Sequence, residues 1–161
     1  MRPERAEELF RKYADGVYRQ CFVILGNEKD SEDAVQEVFL RLIRSDPAFT
    51  DERGERAWLI VTACNYCKSQ LRRSKYRVCS SIEEIPENTG VDNDVSGRDE
   101  VLDAIMSLPP AQKEAVYLRY YEDMSAENIA KLTGTSASTV RSRLHFAIRK
   151  LRKLLGGDFY G

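Results

Sequence analysis

Between Ser136 and Lys153 the chain sets cations and hydroxyls among apolar residues at helical spacing. Val140, Leu144, Ile148 and Leu151 recur at intervals of four and three, as a buried helical stripe should. Between them fall Arg141, Arg143, His145, Arg149, Lys150, Arg152 and Lys153. Such a helix can neutralise phosphates with its cations and read base edges with its guanidinium groups. No acidic residue occurs from Asn128 to Gly157, whereas Lys131, Arg141, Arg143, Arg149, Lys150, Arg152 and Lys153 do. The whole-chain charge hides this excess, because the 161 residues sum to −1 at pH 7. A basic run is often only a solvated helix face. So long a stretch without a carboxylate, in a slightly acidic chain, argues instead for a polyanionic partner.

The segment just ahead positions that helix. Ser125 can cap a short helix by accepting an orphan backbone N–H, and Ile129, Ala130 and Leu132 give it an apolar face. Gly134 can end it in the left-handed conformation, and Ser136 can cap the helix that follows. Two short helices, a tight turn and a basic second helix describe a helix-turn-helix, whose second helix enters the major groove. Upstream, Pro110 can open a helix carrying Ala115, Val116, Leu118 and Tyr121.

The first part of the chain is helical as well. Phe10, Tyr13, Val17, Cys21 and Leu25 follow the helical period up to Gly26-Asn27. Asp30 or Ser31 can cap a second helix with Ala34, Val35, Val38, Phe39, Leu42 and Ile43 as its stripe, ended by Ser45-Asp46-Pro47. After a loop, a third helix is predicted from about Arg56 to Lys75, with Leu59, Ile60, Ala63, Cys67 and Leu71 inward. The stretch SSIEEIPENTGVDNDVSG lacks periodicity and is rich in Ser, Asn, Asp, Gly and acid, as a flexible tether is. We therefore expect an all-α chain of two small helical domains, 1–77 and 98–161, joined by a flexible acidic linker, 78–97, with the helix-turn-helix in the second.

Charge follows this plan. Residues 57–82 carry Lys68, Arg72, Arg73, Lys75 and Arg77 and no acid, while residues 83–103 carry eight acidic residues and one Arg. Two basic patches on tethered domains imply bipartite binding. Trp58, Tyr66 and Tyr76 lie among the first patch, where aromatic faces suit unstacked bases, although Trp58 also fits a core position.

Other chemistries find little support. Cys64 and Cys67 form a CxxC, but a closed zinc site needs four ligands, and His145 is the only histidine. Their helical spacing beside Ile60, Ala63 and Leu71 favours two small buried residues. No nucleophile–base arrangement, phosphate loop or HExxH is visible, and the carboxylates read as scattered over helix surfaces. No catalytic residue, metal or cofactor is expected. There is no membrane-length apolar run and no secretory leader, so a cytoplasmic chain with no membrane contact of its own is expected.

Three segments carry a resemblance. DSEDAVQEVFLRLIR, from Asp30 to Arg44, resembles the polymerase-binding helix of sigma-70 family factors. AWLIVTACNYCKSQLRR, from Ala57 to Arg73, resembles the segment that opens and reads the minus-ten element. Leu108 to Leu151 resembles the domain that reads the minus-thirty-five element. Two domains and a short linker are similar to the extracytoplasmic-function (ECF) group. The resemblance implies a non-enzymatic subunit that binds core RNA polymerase and directs it to promoter DNA, often held by an anti-sigma factor. It implies a polymerase-docking face of Asp33, Gln36, Glu37, Phe39 and Leu40. It assigns minus-ten DNA to Trp58, Asn65, Arg72 and Arg73, and upstream DNA to Ser136, Ser138, Thr139, Arg141, Ser142, Arg143 and His145. It also places the acidic linker near the active-centre cleft, where it would mimic nucleic acid, or else act only as a tether. Ser69, Asn128 and Phe146 depart from residues common in the family. Two other readings stay open: a helix-turn-helix regulator with a helical sensor or dimerisation domain, and a small enzyme with a basic substrate site.

Overall fold

The computed structural model describes residues 1–80, with side chains as far as Lys75, and residues 100–156. The chain folds as two separate units, Met1–Val91 and Asp92–Gly161. The first contains α1 (Pro3–Leu25), α2 (Glu28–Ser45) and α3 (Glu52–Ser80). The second contains α4 (Glu100–Met106), α5 (Pro110–Tyr120), α6 (Ala126–Thr133) and α7 (Ala137–Leu155). Every element among the described residues is helical, as the sequence predicts. Most of the expected linker, 81–97, lies outside the described residues.

Local chemistry fixes the helix ends. Gly26, at φ 83°, closes α1 with its N–H on the Phe22 carbonyl. The next residue starts α2: the Asn27 side-chain oxygen accepts the Asp30 N–H at 2.8 Å. Asn27 thus takes the capping role expected of Asp30 or Ser31. The chain turns within Gly26-Asn27, which leaves those two residues inside the first helical turn. Helix α3 begins at Glu52, four residues before the expected Arg56. Asp51 accepts the Gly54 N–H at 2.9 Å, and this cap carries the helix through a glycine that would otherwise discourage it. At the other end no proline or glycine interrupts the sequence before Pro86, and α3 continues through Ser80.

Leu9, Val17 and Cys21 of α1, Ala34, Val38, Phe39 and Leu42 of α2, and Leu59, Ala63 and Cys67 of α3 form the first core. Two positions depart from the expected stripes. Leu9 is buried and Phe10 exposed, and Ile43 faces solvent although periodicity predicts it on the inner side of α2. Cys21, Cys64 and Cys67 are buried and not joined in disulfides, and they occupy the places of small apolar residues. Among the described residues no cluster of His, Cys, Asp or Glu could hold a metal.

One carboxylate departs from the expected scatter over helix surfaces. Glu55, in the first turn of α3, is only 5% exposed. The Tyr13 hydroxyl donates to it at 2.8 Å, Arg5 pairs with it, and the Lys12 ammonium lies 3.8 Å away. Three α1 side chains thus grip the start of α3. Burial pushes the Glu55 carboxyl up, but the hydrogen bonds from Tyr13 and Arg5 and the charges of Arg5 and Lys12 outweigh it. The group is held below the ordinary carboxylate range.

In the second unit Ile105, Leu108, Val116, Ala147 and Leu151 pack together. Tyr117 joins the buried set; its ring stacks on Tyr121 at 5.3 Å and its hydroxyl donates to Glu122 at 2.9 Å. Ser125 and Ser136 cap α6 and α7 as expected, accepting the Asn128 and Thr139 N–H groups at 3.1 Å. Gly134 sits at φ 71° between the two helices and ends α6. The helix-turn-helix is therefore built from local caps.

Candidate nucleic-acid interface

Helix α7 turns Val140, Ala147 and Leu151 inward. The opposite side presents Ser138, Ser142, His145 and Arg149, all exposed and separated by four, three and four residues. Three of these are among the predicted DNA contacts; Arg149, which continues the same stripe, is an addition. Arg141 flanks this stripe and is exposed, whereas Arg143 lies on the other flank and is half-buried. Ser136 and Thr139 are occupied with each other, because Ser136 caps the helix at Thr139 and its hydroxyl donates to the Thr139 hydroxyl at 2.9 Å. Their place is at the helix start rather than on the outward stripe. His145 lies edge-on to Phe146, with centroids 5.6 Å apart, and Phe146 is itself exposed. Arg141 donates through Nη1 to Glu127 of α6 at 3.1 Å.

On α3 a second stripe runs through Trp58, Val61, Asn65, Ser69 and Arg72, at spacings of three, four, four and three. Trp58 is half-buried against the core and edge-on to Phe49, with centroids 6.5 Å apart. It is both a packing residue and a partly open aromatic face. Asn65 and Arg72 are exposed, as is Arg73 one position around the helix. The predicted quartet thus shares one side of α3. Val61 joins it as an exposed apolar residue that a search for cations and amides passes over. Among the described side chains of α3, Cys67 is the last that is buried, so Arg72 and Arg73 stand on helix that has left the core.

Helix α2 presents Asp33, Gln36, Leu40 and Ile43, all exposed, at spacings of three, four and three. Leu40 is 45% exposed, whereas Phe39 is only 6% exposed and lies edge-on to Phe10 at 5.0 Å. The structure therefore places Phe39 in the core rather than on the predicted docking face. A step of one residue turns a helix by about 100°, which separates it from Leu40. Glu37 is partly exposed and accepts from the Arg41 Nε at 3.1 Å, while the Arg41 guanidinium lies 5.0 Å from the Tyr66 ring centroid. Burial pushes the Tyr66 phenol up, and the Glu37 charge adds to that shift. Glu37 is thus a structural partner as well as part of this face.

Comparison with known proteins gives these surfaces a family. The profile of sigma-70 region 2 matches residues 9–77, and that of sigma-70 region 4 matches residues 98–151. The chain is 29% identical to the ECF RNA polymerase sigma factor BldN of Streptomyces coelicolor, over 93% of the chain and 60% of BldN. It thus spans somewhat under two thirds of that relative's length. It is 31% identical to the ECF RNA polymerase sigma factor SigL of Mycobacterium tuberculosis, over 91% of the chain and 86% of SigL. A solved structure of the sigma factor RpoE with the anti-sigma factor NepR from Bartonella quintana matches in fold. Its TM-score is 0.72, with 21% identity, over 95% of this chain and 98% of that one. The chain belongs to the sigma-70 family, in its extracytoplasmic-function group. The regulator with a sensor domain gives way, because region 2 occupies the place that domain would need.

Proposed function

We propose that this chain binds core RNA polymerase through α2 and guides it to promoters through α3 and α7, without chemistry of its own. The observation that carries this is the pair of exposed stripes, one per unit, each joining Arg to amide, hydroxyl or imidazole groups: Asn65–Arg72 on α3, and Ser138–Ser142–His145 flanked by Arg141 on α7. Hydroxyls at the start of α7 let a duplex approach closely, and guanidinium groups grip phosphate or bases. On α3, Trp58 offers a face to an unstacked base while Arg72 and Arg73 hold the backbone. An anti-sigma factor belongs to the same reading as a partner, as NepR is of RpoE. The reading places the chain in the cytoplasm, with the promoter DNA it serves. Among the described residues no helix is long and apolar enough to cross a membrane. Reconstitution with core RNA polymerase, followed by genome-wide run-off transcription, tests the proposal. Absence of any promoter-specific transcript would overturn it.

Two predictions separate the surfaces. Gln36→Lys is expected to weaken capture of core RNA polymerase while leaving stability within about 0.5 kcal/mol, because the side chain is exposed. Pull-down and thermal unfolding of the same variant check both halves. Arg141→Ala is expected to cost roughly 1–3 kcal/mol at one base position, and Arg143→Ala to lower affinity evenly across sequences, as loss of a phosphate contact does. Binding by the assembled polymerase to promoter variants distinguishes them. Unchanged binding by both variants would remove α7 from the interface.

A further inference from the structure

We propose that Glu127 is a positioning residue that decides which base Arg141 reads. The inference rests on the reading that α7 contacts upstream promoter DNA. Glu127 stands in the first turn of α6, and its Oε1 accepts from the Arg141 Nη1 at 3.1 Å across the turn of the motif. The side chains are 63% and 60% exposed, so the pair adds little to stability.

A carboxylate beside a DNA-reading helix repels phosphate, and α7 itself has no acid from end to end. Glu127 is therefore a liability at this surface unless it does something for the cation it holds. A guanidinium offers five N–H donors in a rigid plane. With Nη1 engaged by Glu127, Nε and Nη2 remain for a base edge, and the plane of the fork is restrained. Freed of Glu127, a long exposed Arg side chain can swing to any nearby phosphate and lose its base preference. Glu127 keeps its charge: its own backbone N–H and then the Arg141 hydrogen bond hold its carboxyl below the ordinary range.

The opposite role is also physically available. Glu127 could compete with DNA for Arg141 and so restrain binding at every sequence. The two roles differ in what they do to base preference, and that difference is the test.

The full chain, assembled with core RNA polymerase, selects from a duplex pool with randomised upstream and downstream elements, and the bound fraction is sequenced. Arg141→Ala identifies the base pair that Arg141 reads. Glu127→Gln is expected to reduce preference at that same base pair by about fivefold or more, with other positions unchanged. Its thermal unfolding midpoint should stay at the wild-type value. Glu127→Asp, which keeps the charge, should recover part of the preference. An even change in binding at all sequences, or a preference that survives Glu127→Gln while Arg141→Ala abolishes it, overturns the proposal and leaves the α7 interface intact. If Arg141→Ala alters no preference at all, the positioning role and the Arg141 base contact fall together.

Discussion

Truncation of Phe39 to alanine is expected to cost the first unit about 3–5 kcal/mol, most of the stability of a small domain. The ring is nearly fully buried and packs edge-on against Phe10, so its removal leaves a cavity between α1 and α2. Leu40→Asp is expected to do the reverse. Leu40 is close to half exposed, so the change leaves the fold in place and removes apolar area from the surface proposed to meet polymerase. Chemical denaturation and core-polymerase binding, measured on both variants, should therefore separate cleanly. Phe39→Ala should shift the denaturation midpoint and Leu40→Asp the binding. If Phe39→Ala unfolds at the wild-type midpoint yet loses polymerase, its ring faces the partner and the core assignment is wrong.

The second large effect belongs to Glu55. Glu55→Ala strands the Tyr13 hydroxyl at a partly buried site and removes one of the two carboxylates that Arg5 pairs with, and a loss of about 1–3 kcal/mol is expected. The pH dependence has a definite sign. The folded-state carboxyl is held below its unfolded value of about 4.5, so its contribution is fully present above that value. It is lost as the pH falls through the lower, folded value. Wild type and Glu55→Gln should therefore differ most near neutrality, and the gap should close in acid. Denaturation midpoints of both proteins from about pH 6 to about pH 3 measure it. A gap that stays constant over that window would show that Glu55 is not held as an ionised carboxylate.

Much of this architecture is legible in the sequence because it is local. Gly26, Ser125, Gly134 and Ser136 act within four residues of themselves, and all four do what their types and positions predict. The outward stripe of α7 is equally plain, since the buried positions 140, 147 and 151 fix the opposite side. Failures occur where a partner is distant in sequence. Arg5 and Tyr13 reach Glu55 across 50 and 42 residues, and nothing near Glu55 reveals them. Ile43 leaves the predicted stripe because it lies at the edge of the apolar arc of α2. Phe10 of α1 covers Phe39, and Ile43, one turn on, faces solvent. The early start of α3 is hidden by Gly54, a poor helix former that the Asp51 cap overrides. The tie between Glu127 and Arg141 crosses a turn between two helices, so neither helix alone shows it.

Helix α3 has 29 residues, a rod of roughly 43 Å, and its buried anchors end at Cys67. Backbone amides between Leu59 and Cys67 can then exchange hydrogen for deuterium only when the whole unit opens. Those from Ser69 to Lys75 are expected to exchange through local fraying, at a free energy far below the global value. The same helix thus carries a slow clock and a fast one. A nucleic-acid strand laid along Asn65, Arg72 and Arg73 would slow the fast amides and leave the slow ones as an internal standard.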